Sequence, residues 1–500
     1  MAFRIPHKLI PDGFKEKISK DLCLKETQKF KKNSHYLKGK EITFFMVDEI
    51  GTTQLGPDII LPMDYASKLF KKPFINQRRA FHRVPAFVLN TQLYSYQKEI
   101  LDLSLTNFNR NGCNFLNVFC AFGKTVVAAY FSALFAIQYN LVTLVTYPRK
   151  VIQASWIGTF RKLTTAKVYV IGEESAPPDP DVQVFLCMDE RLAKLDQSIR
   201  SRIGHFVIDE AHMYCTPDHV AALLSVEPLY VTILTATYER DDGFHVMMDY
   251  IAGPDRITRI SQKPFFVFLR ETEFEVDPKV GKFGIIFDDL VNQLDNIAER
   301  NSLIMQLAMD NIDHKPLILV KHVPHATQLH NWLNQYLKSI GKSAALLAGS
   351  IGQYNDADII VGTFSKIGVG FDEKEACRNW NGKRIGVLIF GTSTKKAEQF
   401  AGRAFRADIP VIIDIVDKHK NLKQHWRERR KWYESRNGQI YEITSRFSWS
   451  LVKDPILQNY FIQLLSGTNK APEVKGVVDR REDVTSSHAL SVMKQLQARK

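Results

Sequence analysis

Three short stretches carry groups able to handle phosphate and a divalent cation. In FLNVFCAFGKTVVAAYF, Gly123, Lys124 and Thr125 fall between an apolar strand-like run and an apolar helical one. A loop in that position offers the free N–H groups of a helix start to phosphate. Lys124 is then placed to reach the outer phosphates and Thr125 to ligate Mg2+. Ala121 and Phe122 complete the loop, and Ala121 and Val118 stand where glycine would ease the turn. In HFVIDEAH, Asp209 and Glu210 close an apolar strand, the edge at which a parallel sheet keeps its ligands. Asp209 is expected to hold Mg2+, and Glu210 to orient or activate an attacking water. In KKAEQFAGRAFR, Gln399 precedes Arg403 and Arg406, two arginines three apart on one helical face. A guanidinium aimed from a second domain at a γ-phosphate stabilises charge as the phosphoryl group loosens.

Weaker signals surround these. Gln97 in LYSYQKEIL has an amide that can pair with N6 and N7 of adenine. Thr235 and Thr237 in LTATYERDDG follow a strand, where hydroxyls can couple Asp209 and Glu210 to movement. Arg149, Lys150, Gln153 and Trp156 in YPRKVIQASW suit a phosphate backbone, or else a capped helix with a buried indole. In IIVGTFSKIGVGFD, Gly370 lets backbone approach a nucleotide and Asp372 can take a ribose hydroxyl.

These residues need a scaffold that brings strand ends together. From Leu93 to about Ile260, runs such as FLNVF, LVTLVTY, VQVFL, HFVID and VTILTAT alternate with helical stretches. Continuous apolar strands between helices indicate a parallel sheet covered on both faces. The rhythm breaks at Ser261 to Glu299 and returns with PLILVKH, AALLAG, ADIIVGT, RIGVLIF and PVIIDIV, predicting a second α/β sheet. The expected division is an α+β prefix over 1–86, a first α/β domain over 87–270, a connector over 271–300, a second α/β domain over 301–435 and an extension over 436–500. Basic clusters mark Lys29 to Lys32 and Lys71 to Arg83, and KHKNLKQHWRERRKWY reads as a basic, aromatic helix. A short C-terminal helix is expected beyond a polar stretch.

The chain has 500 residues, 45% hydrophobic and 24% charged, which excludes an intrinsically disordered protein. A net charge of +13 favours a polyanionic partner. Six scattered cysteines without metal-like spacing point to reduced thiols. Neither a membrane span nor a secretory or organellar address is visible, so an intracellular setting is expected.

In this order, YQ, FGKT, PRKVIQASW, DEAH, TAT, GVGFD and QFAGRAFR resemble motifs Q, I, Ia, II, III, V and VI of superfamily 2 helicases over Leu93 to Tyr433. CAFGKT, TATYERDDG, ERNSLI and AEQFAGRAFR look most like the transcript-release helicases of large cytoplasmic DNA viruses, poxvirus-type, and also resemble the XPB and phage recombination group. The resemblance implies two RecA-like domains, ATP with Mg2+ as ligand, and DNA, or RNA, as track. It carries roles by position to Gln97, Lys124, Thr125, Asp209, Glu210, Arg403 and Arg406. For the viral type it further implies a virion or infected-cell ATPase working behind a viral RNA polymerase. Tyr238 stands where related segments have proline. A single-sheet P-loop kinase or GTPase would leave Arg403 unused, and a basic scaffold with a decayed site would leave Lys124 and Glu210 unexplained.

Overall fold

The computed structural model describes residues 2–26, 40–71, 82–261, 263, 265–282, 284–368, 371–395, 397–407, 409–444 and 447. The Lys29 to Lys32 cluster, most of Lys71 to Arg83, Gly370 and the expected C-terminal helix lie outside the described residues. The chain groups into two compact units that part after Arg259.

The first unit is built on seven strands in the order Ile257–Arg259, Cys113–Val118, Tyr230–Thr235, Ile203–Ile208, Val142–Tyr147, Val184–Met188, Val168–Val170. Every pairing is parallel. Three of these strands, Ile203–Ile208, Val142–Tyr147 and, save for Tyr230, Tyr230–Thr235, are buried throughout, as strands covered on both faces must be. Helix Lys124–Tyr139 crosses one face; four alanines and no glycine or proline favour it, and Asn140 ends it at φ 56. Within the sheet, His205 is fully buried between Thr143 Oγ1 at 3.2 Å and Thr232 Oγ1 at 2.9 Å.

The N-terminal prefix forms an antiparallel sheet in the order Ala2–Pro6, Gly56–Pro62, Met46–Thr53, with helices Asp12–Asp21 and Met63–Phe70. It shares one apolar core with the first parallel sheet. Tyr65 meets Tyr250 edge to face at 5.5 Å, Arg4 Nε donates to Glu227 at 3.0 Å, and Asn111 donates to Asp64 at 3.3 Å.

The second unit repeats the plan with a different order: Ala344–Leu347, Ile359–Thr363, Pro316–Val320, Val387–Phe390, Val411–Val416, Phe265–Glu271, Gly438–Glu442, again all parallel. Three details here go beyond the sequence reading. Strand Phe265–Glu271, which spans the expected boundary at 270, pairs inside the second sheet. The connector holds helix Phe287–Asp295, whose Leu290, Val291 and Leu294 are buried with Leu422. Gly438–Glu442, expected in the extension, completes the sheet edge. An apolar run such as FFVFL announces a strand, but periodicity holds nothing about which sheet receives it.

Buried ion pairs tie the second sheet to its helices. Arg300 bonds both oxygens of Asp417 at 2.9 Å and the Gly391 carbonyl at 2.7 Å. Arg429 bonds both oxygens of Asp414 at 2.7 Å, and Tyr433 donates to the same carboxylate at 2.9 Å. Among the described residues, no helix is long and apolar enough to cross a membrane.

Candidate functional site

The loop after strand Cys113–Val118 turns through two left-handed residues, Ala121 at φ 73 and Gly123 at φ 86. Ala121 thus does take the glycine-like conformation, at a cost of about 1–2 kcal/mol for its Cβ. At Gly123 a Cβ would come within 2.4 Å of Gln97 Nε2, so any other residue would push Gln97 aside as well as strain the left-handed backbone. Gln97 is buried and works on the loop itself. Its Nε2 donates to the Phe122 carbonyl at 2.9 Å, and its Oε1 accepts from the Tyr94 N–H at 2.9 Å. Two of the amide's four hydrogen-bonding positions are thereby used. Lys124 opens the helix with its Nζ 3.3 Å from the Val118 carbonyl and 3.5 Å from that of Phe119, and half-buried Thr125 follows it. The ammonium rests on neutral acceptors and, among the described residues, holds no carboxylate within ion-pair distance.

Asp209 follows strand Ile203–Ile208 and is buried. Its Oδ1 accepts the Glu210 N–H and its Oδ2 the Trp156 indole N–H, each at 2.9 Å. Burial, then the adjacent Glu210 charge, pushes the Asp209 carboxyl up, while Lys124 and the two hydrogen bonds pull it down. Lys124 is therefore close enough for its charge to be felt. Glu210 sits at φ 50, a left-handed conformation that a non-glycine residue keeps only where its surroundings hold it. Next to it, His212 Nδ1 meets Thr235 Oγ1 at 3.0 Å, and Arg240 donates to the His212 carbonyl at 2.6 Å. Thr235 also donates to the Thr237 carbonyl and accepts the Thr237 N–H. Lys124, Asp209, Glu210, Thr235 and Thr237 thus gather at one end of the first sheet.

A Mg2+ ion fits this donor set. Asp209 is a buried carboxylate whose two oxygens each accept from a neutral N–H donor. Among the described residues, no three His, Cys, Asp or Glu side chains converge as a cage. A hard cation using one carboxylate, one hydroxyl and external oxygens is how Mg2+ is ordinarily held beside phosphates.

Two of the four residues read as nucleic-acid contacts are corrected. Trp156 is fully buried against Asp209, and Gln153 is buried with its Oε1 accepting from Tyr147 at 3.0 Å. Neither can face a phosphate backbone, because helix Lys150–Leu163 turns both toward the sheet. Lys150 is exposed and pairs with Glu173, while half-buried Arg149 caps the helix in an extended conformation. On the basic helix Lys420–Ser435, Arg429 is likewise internal, whereas Lys420, Lys423, Arg427 and Lys431 are exposed.

In the second unit Arg403 and Arg406 both reach the segment after strand Ile359–Thr363, with different commitments. Arg403 is buried and donates to the carbonyls of Phe371 at 2.8 Å, Gly368 at 2.9 Å and Ile367 at 3.2 Å. Arg406 forms an ion pair with Asp372 at 2.9 Å. Asp372 also accepts the Lys374 N–H at 2.9 Å, starting a short helix. Gln399 lies on helix Ala397–Ala404. Sequence reasoning missed the contacts of His212 and Arg240. The DEAH tetrapeptide advertised His212, but nothing in the spacing tied Arg240 to its carbonyl.

Residues 90–240 match the family described as Type III restriction enzyme, res subunit. "Putative helicase 161L" of Invertebrate iridescent virus 6 is 26% identical over 368 residues, 68% of this chain and 80% of that protein. "Putative helicase 055L" of Frog virus 3 (isolate Goorha) is 27% identical over 353 residues, 69% of this chain and 78% of that protein. "Uncharacterized protein 108L" of Invertebrate iridescent virus 3 is 36% identical over 110 residues, 21% of this chain and 98% of that protein. At 36% identity over nearly the whole of protein 108L, the chain belongs to one family with that protein, and its two RecA-like parallel sheets and its likeness to the viral putative helicases are those of a superfamily 2 helicase.

Proposed function

We propose that the protein is a nucleic-acid-stimulated ATPase that translocates on DNA, with transcript release in viral transcription as its setting. The observation that carries the reading is the convergence of Lys124, Asp209 and Glu210 at one sheet edge, with Lys124 held, among the described residues, by backbone carbonyls alone. A resting ammonium on weak neutral acceptors can turn to phosphate without breaking an ion pair. The loop N–H groups from Ala121 to Thr125 and Lys124 bind the phosphates of ATP, and Gln97 pairs with the base. Mg2+, held by Thr125 and Asp209, would neutralise phosphate charge. Glu210 orients the attacking water, and its fixed backbone limits where that water can sit. Arg406 stabilises charge on the departing phosphoryl group, and Arg403 shapes the loop that carries Asp372, the partner of Arg406. Thr235, linked to His212, relays the state of the site to the strand that carries it. DNA is assigned as the track because the motif set resembles transcript-release helicases and the chain is basic.

Lys124→Ala should lose ATP binding, whereas Glu210→Gln should bind ATP as the unmodified protein does and lose turnover. Both are read in an ATPase assay with single- and double-stranded DNA and RNA. Near-normal affinity in Lys124→Ala together with normal turnover in Glu210→Gln would reject both roles. Stimulation by RNA alone would replace DNA as the track.

A further inference from the structure

The indole of Trp156 is the least expected partner at the site. Trp156 is fully exposed to neither solvent nor any path along the surface; it is buried beneath strand ends on helix Lys150–Leu163. Its Nε1 lies 2.9 Å from Asp209 Oδ2, across 53 residues of sequence. Its ring is stacked on Phe160 at 5.9 Å and 23°, and Phe160 meets Phe87 edge to face at 6.5 Å. The indole therefore has little freedom, and the N–H it offers points where the packed helix puts it. Asp209 is fixed from its other side too: its own N–H donates to the Thr146 carbonyl at 3.0 Å, and its Oδ1 takes the Glu210 N–H.

We infer that Trp156 is a positioning residue that holds the Asp209 carboxylate in the orientation needed to take Mg2+. This inference rests on the nucleotide reading above. The chemistry of the donor supports it. An indole N–H donates one hydrogen bond, accepts none and carries no charge. It can fix one lone pair of the carboxylate while leaving the negative charge available to a cation. A lysine or arginine in the same place would orient the oxygen equally well, yet would neutralise the carboxylate and repel the metal. Backbone and indole donors together settle one direction on each oxygen, and the remaining directions stay open for a ligand. Hydrogen-bonded partners of metal ligands typically change metal affinity 10- to 100-fold when removed.

The bland alternative is that the indole merely satisfies its N–H on the nearest acceptor. Trp156→Phe separates the two, because phenylalanine keeps most of the packing and loses only the donor. Binding of a fluorescent, non-hydrolysable ATP analogue is measured while Mg2+ is titrated. The Mg2+ midpoint should rise about 10-fold or more in Trp156→Phe, with analogue affinity in EDTA unchanged. Equal midpoints in the two proteins would overturn the inference alone. Failure of the unmodified protein to bind the analogue at any Mg2+ concentration would remove the nucleotide reading and the inference with it. Should Trp156→Phe not fold, the unmodified protein labelled with 15N at its indoles gives the answer. One slowly exchanging indole N–H should shift when Mg2+ joins the analogue, and the same signal should move in Asp209→Asn. No response from any slowly exchanging indole would overturn the inference.

Discussion

The two sheets share a seven-stranded parallel plan but are held by different chemistry. The interior polar groups of the first are largely neutral, with His205 between two threonines and Trp156 on Asp209. Those of the second are guanidinium and carboxylate pairs, Arg300 with Asp417 and Arg429 with Asp414. In the first sheet the charged groups sit at the strand ends, and Lys124 rests on backbone carbonyls. In the second, arginine is mainly a structural material, so an arginine there is a candidate for ligand contact only if its partner can release it. By that measure Arg406, on half-buried Asp372, is the one to exchange, and Arg403, on three backbone carbonyls, is the one that shapes the loop.

The sharpest way to break this comparison is to remove the two arginines separately. Arg406→Ala should lower polynucleotide-stimulated turnover by roughly 10³ or more, the scale of a charge-stabilising guanidinium, while the unfolding midpoint hardly moves. Arg403→Ala should lose turnover and also stability, because the carbonyls of Ile367, Gly368 and Phe371 lose their donor. Equal unfolding midpoints for the two variants, measured in urea, would erase the distinction.

Next in size is the ion pair that the second sheet encloses. Arg429→Ala should destabilise that unit by about 3–5 kcal/mol, since Asp414 would be left charged and buried. Replacing both partners by apolar residues of similar volume, as in Arg429→Met with Asp414→Leu, should recover most of the loss. A double variant as unstable as the single one would show that the pair is worth more than its desolvation.

The smallest effect belongs to the first sheet. Burial pulls His205 down from its ordinary 6.5 to about 3, so the folded protein keeps it neutral while the unfolded chain protonates. The unfolded state then binds more protons between those values, and stability falls as pH drops through that window, by about 1.4 kcal/mol per pH unit at most. Urea unfolding of His205→Gln and of the unmodified protein at pH 7 and 5 should show a shallower acid loss in the variant. Parallel losses would mean that another group governs the acid limb.

Much of this was legible in the sequence. Alternating apolar runs announced both sheets, and the order of FGKT, DEAH and QFAGRAFR announced which strand ends matter. The role of Ala121 was half legible: its place in the loop showed a missing glycine, and the backbone shows the left-handed turn taken regardless. Of the two readings of YPRKVIQASW, Trp156 and Gln153 follow the capped helix with a buried indole, while Lys150 stays exposed. Helical geometry separates them, turning every third or fourth side chain toward the sheet. The type and spacing of Arg403 are legible in the sequence, but its three carbonyl partners, from a segment more than thirty residues earlier, are not. Contacts between distant segments leave no local periodicity to read.

The position of strand Phe265–Glu271 also sets a clock. It is the first strand of its sheet to leave the ribosome, and it pairs with Val411–Val416 and Gly438–Glu442, about 140 and 170 residues later. At roughly 5–20 residues per second of synthesis, the run Phe265 to Leu269 waits on the order of ten seconds for its first neighbour. Those five consecutive apolar residues have high β-propensity and no charge among them, the composition that self-associates when left bare. Crowding of nascent chains should therefore favour aggregation nucleated in the second half of the chain, weaker expression or a holding chaperone should relieve it, and slower elongation, which lengthens the wait, should not.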